Sequence, residues 1–305
     1  MATLRIGARS SKLSMSQASI VSGLVREKFG RRFELELVKV KTLGDRLVTA
    51  NEALGNTGKG AFTGDLETML LEEKIDIAVH SMKDLQSKET DGLKIGATPP
   101  RSDPRDALVS GDGGALSSLR KHARIGTSSL RRRVQLLKLR NDLEVVELHG
   151  NVDTRIRKLS DNRTDLDAVV LAAAGLDRLG EAARISQTFS IDEMVPAVGQ
   201  GIIAVQMRRD DKKTEAIVSR IDDKDARLES VCERAFAKRL GADCNVPVGG
   251  CARVSDQTIN MVGMVANEDG SGFVRTAASG RRSDAAKVGR DLAEGLLARA
   301  AGAAS

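Results

Sequence analysis

Three junctions in the sequence place arginine beside hydroxyl or glycine residues at the start of a predicted helix. They are RSS at 9–11, GTSSLRR at 126–132 and GNVDTR at 150–155. Free backbone N–H groups and the helix dipole bind anions at such positions, and each guanidinium fits a carboxylate or phosphate. One such junction is usually an ordinary helix N-cap with solvated arginines. Three of them predict an extended anionic ligand.

A single carboxylate, Asp84, follows the predicted buried strand at 75–79. Ser81 and Lys83 accompany it, and all three would emerge at the carboxyl end of the strand, where open α/β sheets bind ligands. Asp84 could form a plain ion pair with Lys83, or it could stabilise a developing cation and move protons. His80 is more typical of a core histidine, and we predict no role for it.

The thiol of Cys244 lies in the segment GADCNVPVGG at 241–250. Its glycines and proline predict an exposed, shaped loop, and glycine lets a bulky group approach the main chain. Such a thiol can carry a covalent attachment, act as a nucleophile or be an ordinary surface cysteine. Cys232 and Cys251 are interpreted as reduced thiols. Because the cysteines form no CxxC pair and have no neighbouring histidine, neither a zinc site nor a disulfide framework is expected.

The composition describes a chain with aliphatic cores and a positive charge. Its 305 residues predict two or three domains, and 41% of them are hydrophobic while only 2% are aromatic. The lack of aromatic platforms argues against stacking on single-stranded nucleic acid. The net charge of +6 suits an anionic partner. Since we find no secretory leader and no apolar run of about 18 residues, we expect a soluble cytoplasmic protein.

Short apolar runs alternate with helical patterns along the first two thirds of the chain. Strands are predicted at 4–8, 33–40, 75–79, 124–126, 145–148 and 168–171. This alternation is typical of α/β proteins with parallel sheets and helices on both faces. Proline-rich segments at 99–104 and 196–201 predict crossings between domains. After residue 211, a helix at 226–240, a strand at 259–265 and a C-terminal helix predict a smaller α/β domain.

Several of these segments together resemble the porphobilinogen deaminase (hydroxymethylbilane synthase) family along nearly the whole chain. The matching stretches are RIGAR at 5–9, GKGAF at 58–62, DIAVHSMKD at 76–84, GTSSLRR at 126–132, GNVDTR at 150–155, PAVGQG at 196–201, ERAF at 233–236 and the Cys244 loop. Each stretch alone is a modest signal. Their order and spacing together are highly specific.

The resemblance implies an α/β fold of three domains. Two lobes would be similar to type II periplasmic binding proteins, arranged around a cleft, and a smaller C-terminal α/β domain would carry the cofactor cysteine. Domain 1, the catalytic lobe, would comprise residues 1–98 with 197–217. Domain 2, the lobe that binds substrate and cofactor, would comprise 99–196, and domain 3, the cofactor-attachment domain, 218–305.

The resemblance also implies an activity, the head-to-tail polymerisation of four porphobilinogen molecules into hydroxymethylbilane with release of ammonia, in tetrapyrrole (haem) biosynthesis. Chain growth would start from a dipyrromethane cofactor attached to Cys244 by a thioether, with Asp84 as the catalytic residue. The implied cofactor-binding residues are Ser81, Lys83, Asp84, Thr127, Ser128, Ser129, Arg131, Arg132 and Cys244. The implied substrate-binding residues are Arg9, Ser11, Gln17, Phe62, His149, Arg155 and Gln200. The family pattern further implies a monomer that binds a small anionic pyrrole, without metal, nucleic acid or membrane partners.

The chain departs from the family pattern at a few positions. These are Gly64 in place of lysine, Leu85-Gln86 in place of Val-Pro, His149 in place of arginine and Asp243 in place of glycine. Histidine is shorter than arginine and titrates near neutral pH. A substrate contact at His149 would therefore depend on pH. The charge of Asp243 would tend to raise the pKa of Cys244.

Two other functions are compatible with parts of the sequence. A solute-binding protein for an anionic small molecule, without catalysis, would use the same bilobal fold, but the missing leader and the Cys244 loop count against it. A basic module that binds nucleic acid is suggested only by the computed pI of about 9.3. The charges lie at α/β helix starts and no DNA-binding motif is present.

Overall fold

The structure, a computed structural model, describes residues 2–42, 63–161, 164–241 and 246–302. The chain forms two compact units, one of Met1–Ser102 with Ile202–Ser230 and the other of Asp103–Gly201 with Val231–Ser305. The chain passes between the units three times, and the first two crossings fall at or next to the proline-rich segments that predicted them, while the third lies at residues 230–231. The division into three domains, with the boundaries given above, stays a prediction.

The first unit is built on a five-stranded sheet. Its strands are β1 (Ala2–Arg9), β2 (Phe33–Val40), β3 (Ile77–Ser81), β4 (Leu93–Ala97) and β10 (Ile203–Arg208), in the order β2-β1-β3-β10-β4. β1 runs parallel to β2 and β3, whereas β10 runs antiparallel to β3 and β4. The sheet is therefore mixed, whereas the alternation of strands and helices predicted parallel sheets. The chain re-enters this unit at the carboxyl end of β3, where Ile203 pairs with Ser81, so β10 must run back along the sheet.

Helices cover the sheet of the first unit. They are α1 (Lys12–Phe29), α2 (Gly64–Leu71) and α6 (Lys212–Val218). One apolar cluster includes Ile6, Val21 and Val79, and another includes Leu66 and Leu70. Because apolar side chains from both faces of β1 and β3 are buried, these strands read as nearly continuous apolar runs in the sequence.

The second unit contains another five-stranded sheet. Its strands are β5 (Asp106–Ser110), β6 (Arg124–Gly126), β7 (Glu144–Val146), β8 (Ala168–Ala172) and β9 (Gln187–Thr188), in the order β7-β6-β8-β5-β9. β6 is parallel to β7 and β8, while β5 is antiparallel to β8 and β9. The helices that follow its strands are α3 (Leu130–Leu139), α4 (Val152–Leu159) and α5 (Ala173–Arg178).

The second unit also carries an antiparallel three-stranded sheet formed by β11 (Val248–Ser255), β12 (Thr258–Val265) and β13 (Val274–Arg281). The long helices of this part of the chain are α7 (Lys224–Leu240) and α8 (Ala285–Gly302). Gly250 and Gly263 pair across β11 and β12, and a Cβ at either position would lie within 3.0 Å of the Phe236 ring. These glycines therefore make room for an aromatic side chain in an otherwise aliphatic core.

The described residues confirm the expected fold class of two α/β lobes with a smaller C-terminal α/β region. Most predicted strands lie within a residue or two of their predicted bounds. In these residues no helix combines the length and apolar character needed to cross a membrane.

Candidate active site

The carboxyl ends of β1 and β3 bring predicted site residues to one edge of the first sheet. β1 ends at Arg9 and β3 ends at Ser81, and the two strands are parallel neighbours. Gln17, which is buried in α1, donates a hydrogen bond from Nε2 to Ser81 Oγ at 2.8 Å. The structure therefore joins Gln17 and Ser81, which the sequence placed 64 residues apart.

Ser11 begins the helix that carries Gln17. Its Oγ accepts a hydrogen bond from the backbone N–H of Ser14 at 3.3 Å and donates to Ser14 Oγ at 2.9 Å. This is an ordinary N-cap arrangement, which satisfies a backbone donor at the helix start. The predicted contact between Ser11 and a substrate stays a prediction.

Asp84 ends a short 3₁₀ turn, Met82–Asp84, directly after β3. The turn is fixed by two buried side chains, those of Met82 and Leu85, and by a hydrogen bond from the Met82 N–H to the Ile202 carbonyl at 3.0 Å. The Asp84 side chain itself is half-buried. Among the described residues none bonds to its carboxylate, so the alternative of a plain ion pair with Lys83 is not formed there. A carboxylate held in this way is available to a ligand.

His80 lies in β3 just before these residues and is buried, as the sequence predicted. Burial lowers the pKa of its imidazole to about 4; an interaction with Gln206 opposes this shift and the charge of Arg9 adds to it. Within the described part of the chain, Nε2 of His80 has no hydrogen-bond partner. The side chain is therefore neutral near pH 7.

Three hydroxyl residues follow β6 in the second unit and lead into α3. Thr127 is buried and its Oγ1 accepts from the Ser129 N–H at 3.2 Å. Ser129 is the N-cap of α3, and its Oγ accepts from the Arg132 N–H at 3.4 Å. They border a cavity of about 170 Å³ that is lined by Thr127, Ser128, Ser129, Leu130, Arg133, Val145 and Glu147. The helix start is thus open to a small group.

Arg155 reaches this helix start from α4. Its Nε donates to the Gly150 carbonyl at 2.7 Å, and its Nη2 lies 3.4 Å from Ser128 Oγ. Burial, together with the charge of Arg132, lowers the pKa of the guanidinium to about 10. No carboxylate of the described residues bonds to Arg155. A partly buried cation without a carboxylate partner is typical of a site for an anion.

Arg131 and Arg132 are buried and both bind Asp106, the first residue of β5. Arg131 Nη1 lies 2.7 Å from Asp106 Oδ2, and Arg132 Nη2 lies 2.8 Å from Oδ1. Arg131 Nη1 also donates to the Val195 carbonyl at 2.6 Å and Arg132 Nη1 to the Val170 carbonyl at 2.8 Å. Both side chains therefore have defined partners inside the unit, and their predicted contact with a cofactor stays a prediction.

Gln200, predicted to bind substrate, is buried beside the same carboxylate. Its Nε2 donates to the Pro104 carbonyl at 2.7 Å and to Asp106 Oδ1 at 3.0 Å. These contacts support a structural role for Gln200 at the end of the crossing segment. Its predicted contact with substrate is untested.

His149 lies on the surface of the second unit. Its Nε2 is 2.8 Å from Glu147 Oε1, and the two side chains are 53% and 72% exposed. An exposed pair of this kind contributes little to stability. Glu147 also lines the cavity at the start of α3. His149 therefore contacts a residue that lines this cavity.

Some residues of the predicted site lie outside the described residues. They are Phe62, Asp243 and Cys244. Gly64 is described and begins α2, and open space surrounds the position of a Cβ there. Leu85, another departure from the family pattern, is buried in the support of the Asp84 turn.

Sequence reasoning missed two buried carboxylates, Asp106 and Glu233. Glu233 accepts backbone hydrogen bonds from Gly199 at 2.5 Å and Ala252 at 2.7 Å. Asp106 could have been noticed because it opens the apolar run 107–109, where an ionised side chain must have a partner. Glu233 is part of a stretch that carried the resemblance, but nothing in the sequence indicated which backbone groups it binds.

Comparisons with known proteins agree along the length of the chain. Residues 4–216 match the family described as "Porphobilinogen deaminase, dipyromethane cofactor binding domain", and residues 227–298 match "Porphobilinogen deaminase, C-terminal domain". A porphobilinogen deaminase of Syntrophotalea carbinolica is 43% identical over 298 residues, 98% of this chain and 93% of its own length. That of Pelotomaculum thermopropionicum is 46% identical over 301 residues, 98% of this chain and 95% of its own.

Among solved structures, the methionine binding protein MetQ is 14% identical, with a TM-score of 0.45 over 78% of this chain and 94% of its own. The two family matches and the relatives cover nearly every described element, including both five-stranded sheets and the C-terminal sheet. The chain belongs to the porphobilinogen deaminase family.

Proposed function

We propose that this chain polymerises four porphobilinogen molecules head to tail into hydroxymethylbilane, with release of ammonia, and that Asp84 is its catalytic residue. The observation that carries the activity is the identity of 43–46% with porphobilinogen deaminases over 98% of the chain. Identity at this level over nearly the full length of both chains supports a shared activity as well as a shared fold.

Asp84 is suited to the chemical step by its environment. When the aminomethyl C–N bond of the substrate breaks, ammonia leaves and a positive charge develops on the pyrrole. A carboxylate fixed nearby stabilises that charge and accepts hydrogen bonds from pyrrole N–H groups. It also receives the proton that the attacking α-carbon of the growing chain loses once the new C–C bond has formed. The buried side chains of Met82 and Leu85 hold the Asp84 turn for this purpose.

The acetate and propionate groups of the pyrroles need cationic and hydroxyl partners. In the second unit Arg155, Ser128 and the start of α3 supply them, because Arg155 is partly buried and has no carboxylate partner in the described residues. In the first unit we assign substrate contacts to Arg9 and Ser11, with Gln17 holding Ser81. Charge-assisted hydrogen bonds of this type contribute about 1.5–3 kcal/mol each.

Dipyrromethane fits the residues of this chain. The cofactor is an acidic dipyrrole, and the guanidinium of Arg155, which has no carboxylate partner among the described residues, forms with the Ser128 hydroxyl a donor set for its carboxylates. We assign its covalent attachment to Cys244 and its side-chain contacts to Ser81, Lys83, Thr127, Ser128, Ser129, Arg131 and Arg132. When bound, it supplies the free pyrrole α-carbon from which the chain grows.

The proposal includes the location, oligomeric state and partners of the enzyme. We propose a cytoplasmic monomer that binds the small anionic pyrrole and has no nucleic acid or membrane partners. The scarcity of aromatic residues supports the exclusion of single-stranded nucleic acid. Light scattering after size-exclusion chromatography tests the monomer, for which a mass near 32.6 kDa is expected.

Intact-mass measurement combined with a porphobilinogen assay tests the function. Purified protein is expected to carry an added mass equal to a dipyrromethane and to release ammonia from porphobilinogen. Cys244→Ser should lose both, whereas the matched control Cys251→Ala, at a buried thiol, should keep both. An unmodified thiol and no ammonia from protein made with adequate porphobilinogen would instead support a solute-binding protein.

A further inference from the structure

We infer that Asp106 is a positioning residue that orients Arg131 and Arg132 for the carboxylates of the bound pyrrole chain. The inference rests on the proposed function, because it concerns the same ligand. Asp106 was not among the predicted site residues, and its role follows from its burial and contacts.

Asp106 is fully buried and uses both carboxylate oxygens. Oδ2 accepts from Arg131 Nη1 at 2.7 Å. Oδ1 accepts from Arg132 Nε at 3.0 Å and Nη2 at 2.8 Å, and from Gln200 Nε2 at 3.0 Å. Burial by itself would raise the pKa of Asp106, but the charges of Arg131 and Arg132 hold it well below its usual range. The carboxylate is therefore ionised wherever the enzyme works.

The anchoring uses only part of the Arg131 guanidinium, whereas all three nitrogens of Arg132 donate to Asp106 or to the Val170 carbonyl. An arginine has five N–H donors in a rigid planar fork, and fixing one edge of the fork fixes the direction of the other. Within the described residues, Arg131 bonds through Nη1 alone, to Asp106 and Val195. Its Nε and Nη2 donors therefore point in a direction that Asp106 and the Val195 carbonyl determine.

The charge balance supports the same conclusion. One carboxylate faces two guanidinium groups, so the buried cluster keeps a positive charge. Burial lowers the pKa of Arg132; Asp106 opposes this and Arg131 reinforces it. The charge of Arg132 also lowers the pKa of Arg155. Because Asp106 compensates only one of the two guanidinium charges, Arg131 and Arg132 lie side by side while the cluster stays positive for an anionic ligand.

The positions of these residues in the fold make the anchor rigid. Asp106 opens β5, which lies between β8 and β9, and the Asp106 carbonyl accepts from the Phe189 N–H at 3.0 Å. Arg131 and Arg132 lie in the first turn of α3, two and three residues after the N-cap Ser129. The carboxylate therefore connects the first residue of β5 to the helix start that borders the cavity.

A role limited to folding and a role in positioning predict different results for Asp106→Glu. This variant keeps the charge but moves the carboxylate by about one bond length. A folding role tolerates it if the pair re-forms, whereas a positioning role does not, because the guanidinium groups are displaced. Asp106→Asn keeps the shape and removes the charge. Asp103→Asn is the matched control, since Asp103 pairs with Arg105 at the partly exposed surface.

The experiment measures the cofactor-bearing fraction by intact mass, the KM for porphobilinogen and the thermal midpoint of each variant. With positioning, Asp106→Glu keeps a midpoint near that of the wild type. Its cofactor-bearing fraction falls and its KM rises about tenfold, while Asp103→Asn changes neither. A cofactor-bearing fraction and KM equal to the wild type in folded Asp106→Glu overturn the inference.

If both Asp106 variants fail to fold, Gln200→Leu replaces them, because it removes one hydrogen bond to Asp106 and keeps every charge of the cluster. A fall in its cofactor-bearing fraction supports positioning, because Gln200 is assigned to the substrate and not to the cofactor, and a wild-type fraction overturns it. The failure of the proposed function is distinct, since then the wild type itself carries no added mass and releases no ammonia.

Discussion

Gln17 in α1 and Ser81 at the end of β3 are joined by a hydrogen bond of 2.8 Å between Nε2 and Oγ. The bond connects the helix that follows the first arginine-bearing junction to the strand that leads to Asp84. Because Gln17 is buried, removing either partner leaves a polar group without its bond.

The Gln17–Ser81 bond should be visible as coupling in a double-mutant cycle. Gln17→Leu and Ser81→Ala are each expected to lower the free energy of unfolding by about 0.5–1.5 kcal/mol. The double variant should lose about 1 kcal/mol less than the sum of the single losses. Urea denaturation measures all four proteins. Strictly additive losses would show that the bond contributes nothing.

Asp84→Asn should separate catalysis from folding. Because the Asp84 carboxylate has no partner among the described residues, removing its charge should leave the thermal midpoint and the cofactor mass unchanged. The kcat for porphobilinogen should fall by about 100-fold or more. Asp91→Asn, at an exposed position, is the control and should keep full activity. A kcat near that of the wild type in Asp84→Asn contradicts the proposed role.

His80 should make folding stability depend on pH between about 6.5 and 4. Burial lowers the pKa of the folded imidazole to about 4, against 6.5 when unfolded. In this range the unfolded chain binds more protons, so stability is lost as the pH falls, by at most about 1.4 kcal/mol per unit. His80→Gln should abolish this slope, measured by urea denaturation.

The exposed His122 provides the control for this pH dependence. His122→Asn should keep the slope, because asparagine tolerates the positive φ of 56° at this position. Carboxylates with lowered pKa values, Asp106 among them, lose their contribution only at lower pH. An unchanged slope in His80→Gln would assign the effect to other groups.

Two glycines of α8 should respond in opposite ways to alanine. A Cβ at Gly289 would lie 2.0 Å from the Cys232 carbonyl oxygen, whereas open space surrounds Gly295. Gly289→Ala should therefore lower the thermal stability by about 1–3 kcal/mol or more, because backbone must move. Gly295→Ala should raise it by up to about 1 kcal/mol. Equal effects would mean that α7 and α8 are not in close contact.

His149→Arg should improve substrate binding if this position contacts a substrate carboxylate. A longer, permanently charged guanidinium is expected to lower the KM for porphobilinogen severalfold. Lys121→Arg, at an exposed site, serves as the control and should change nothing. A KM unaffected by His149→Arg would be explained by the surface position of His149, where it pairs with Glu147.

Local sequence patterns predicted most strands and helices, because buried runs and helical spacing are local properties. The predicted bounds 33–40 and 124–126 coincide with β2 and β6. The antiparallel direction of β10 was not predicted, since an apolar run carries no information about which way it enters a sheet. The strand direction depends on where the chain returns after a hundred residues of another unit.

The same limit applies to the site. The residue types around Asp84 and at the start of α3 pointed to anion binding and proton transfer. The structure places the first group after β3 in the first unit and the second group after β6 in the second unit. The contacts of Arg131, Arg132 and Gln200 with Asp106 could not be foreseen, because their partners lie 25 to 94 residues away in the chain. The roles of the site residues stay predictions until the variants are measured.

The insertion of β10 between β3 and β4 has a consequence for the order of folding during synthesis. The first unit begins at the N-terminus. Its strand β10, which pairs with both β3 and β4, is synthesised only after about two hundred residues. On the ribosome β3 and β4 must wait with exposed, unpaired edges while the second unit emerges. Nascent chains that do not yet include β10, which ends at Arg208, would therefore depend most on a chaperone that covers strand edges.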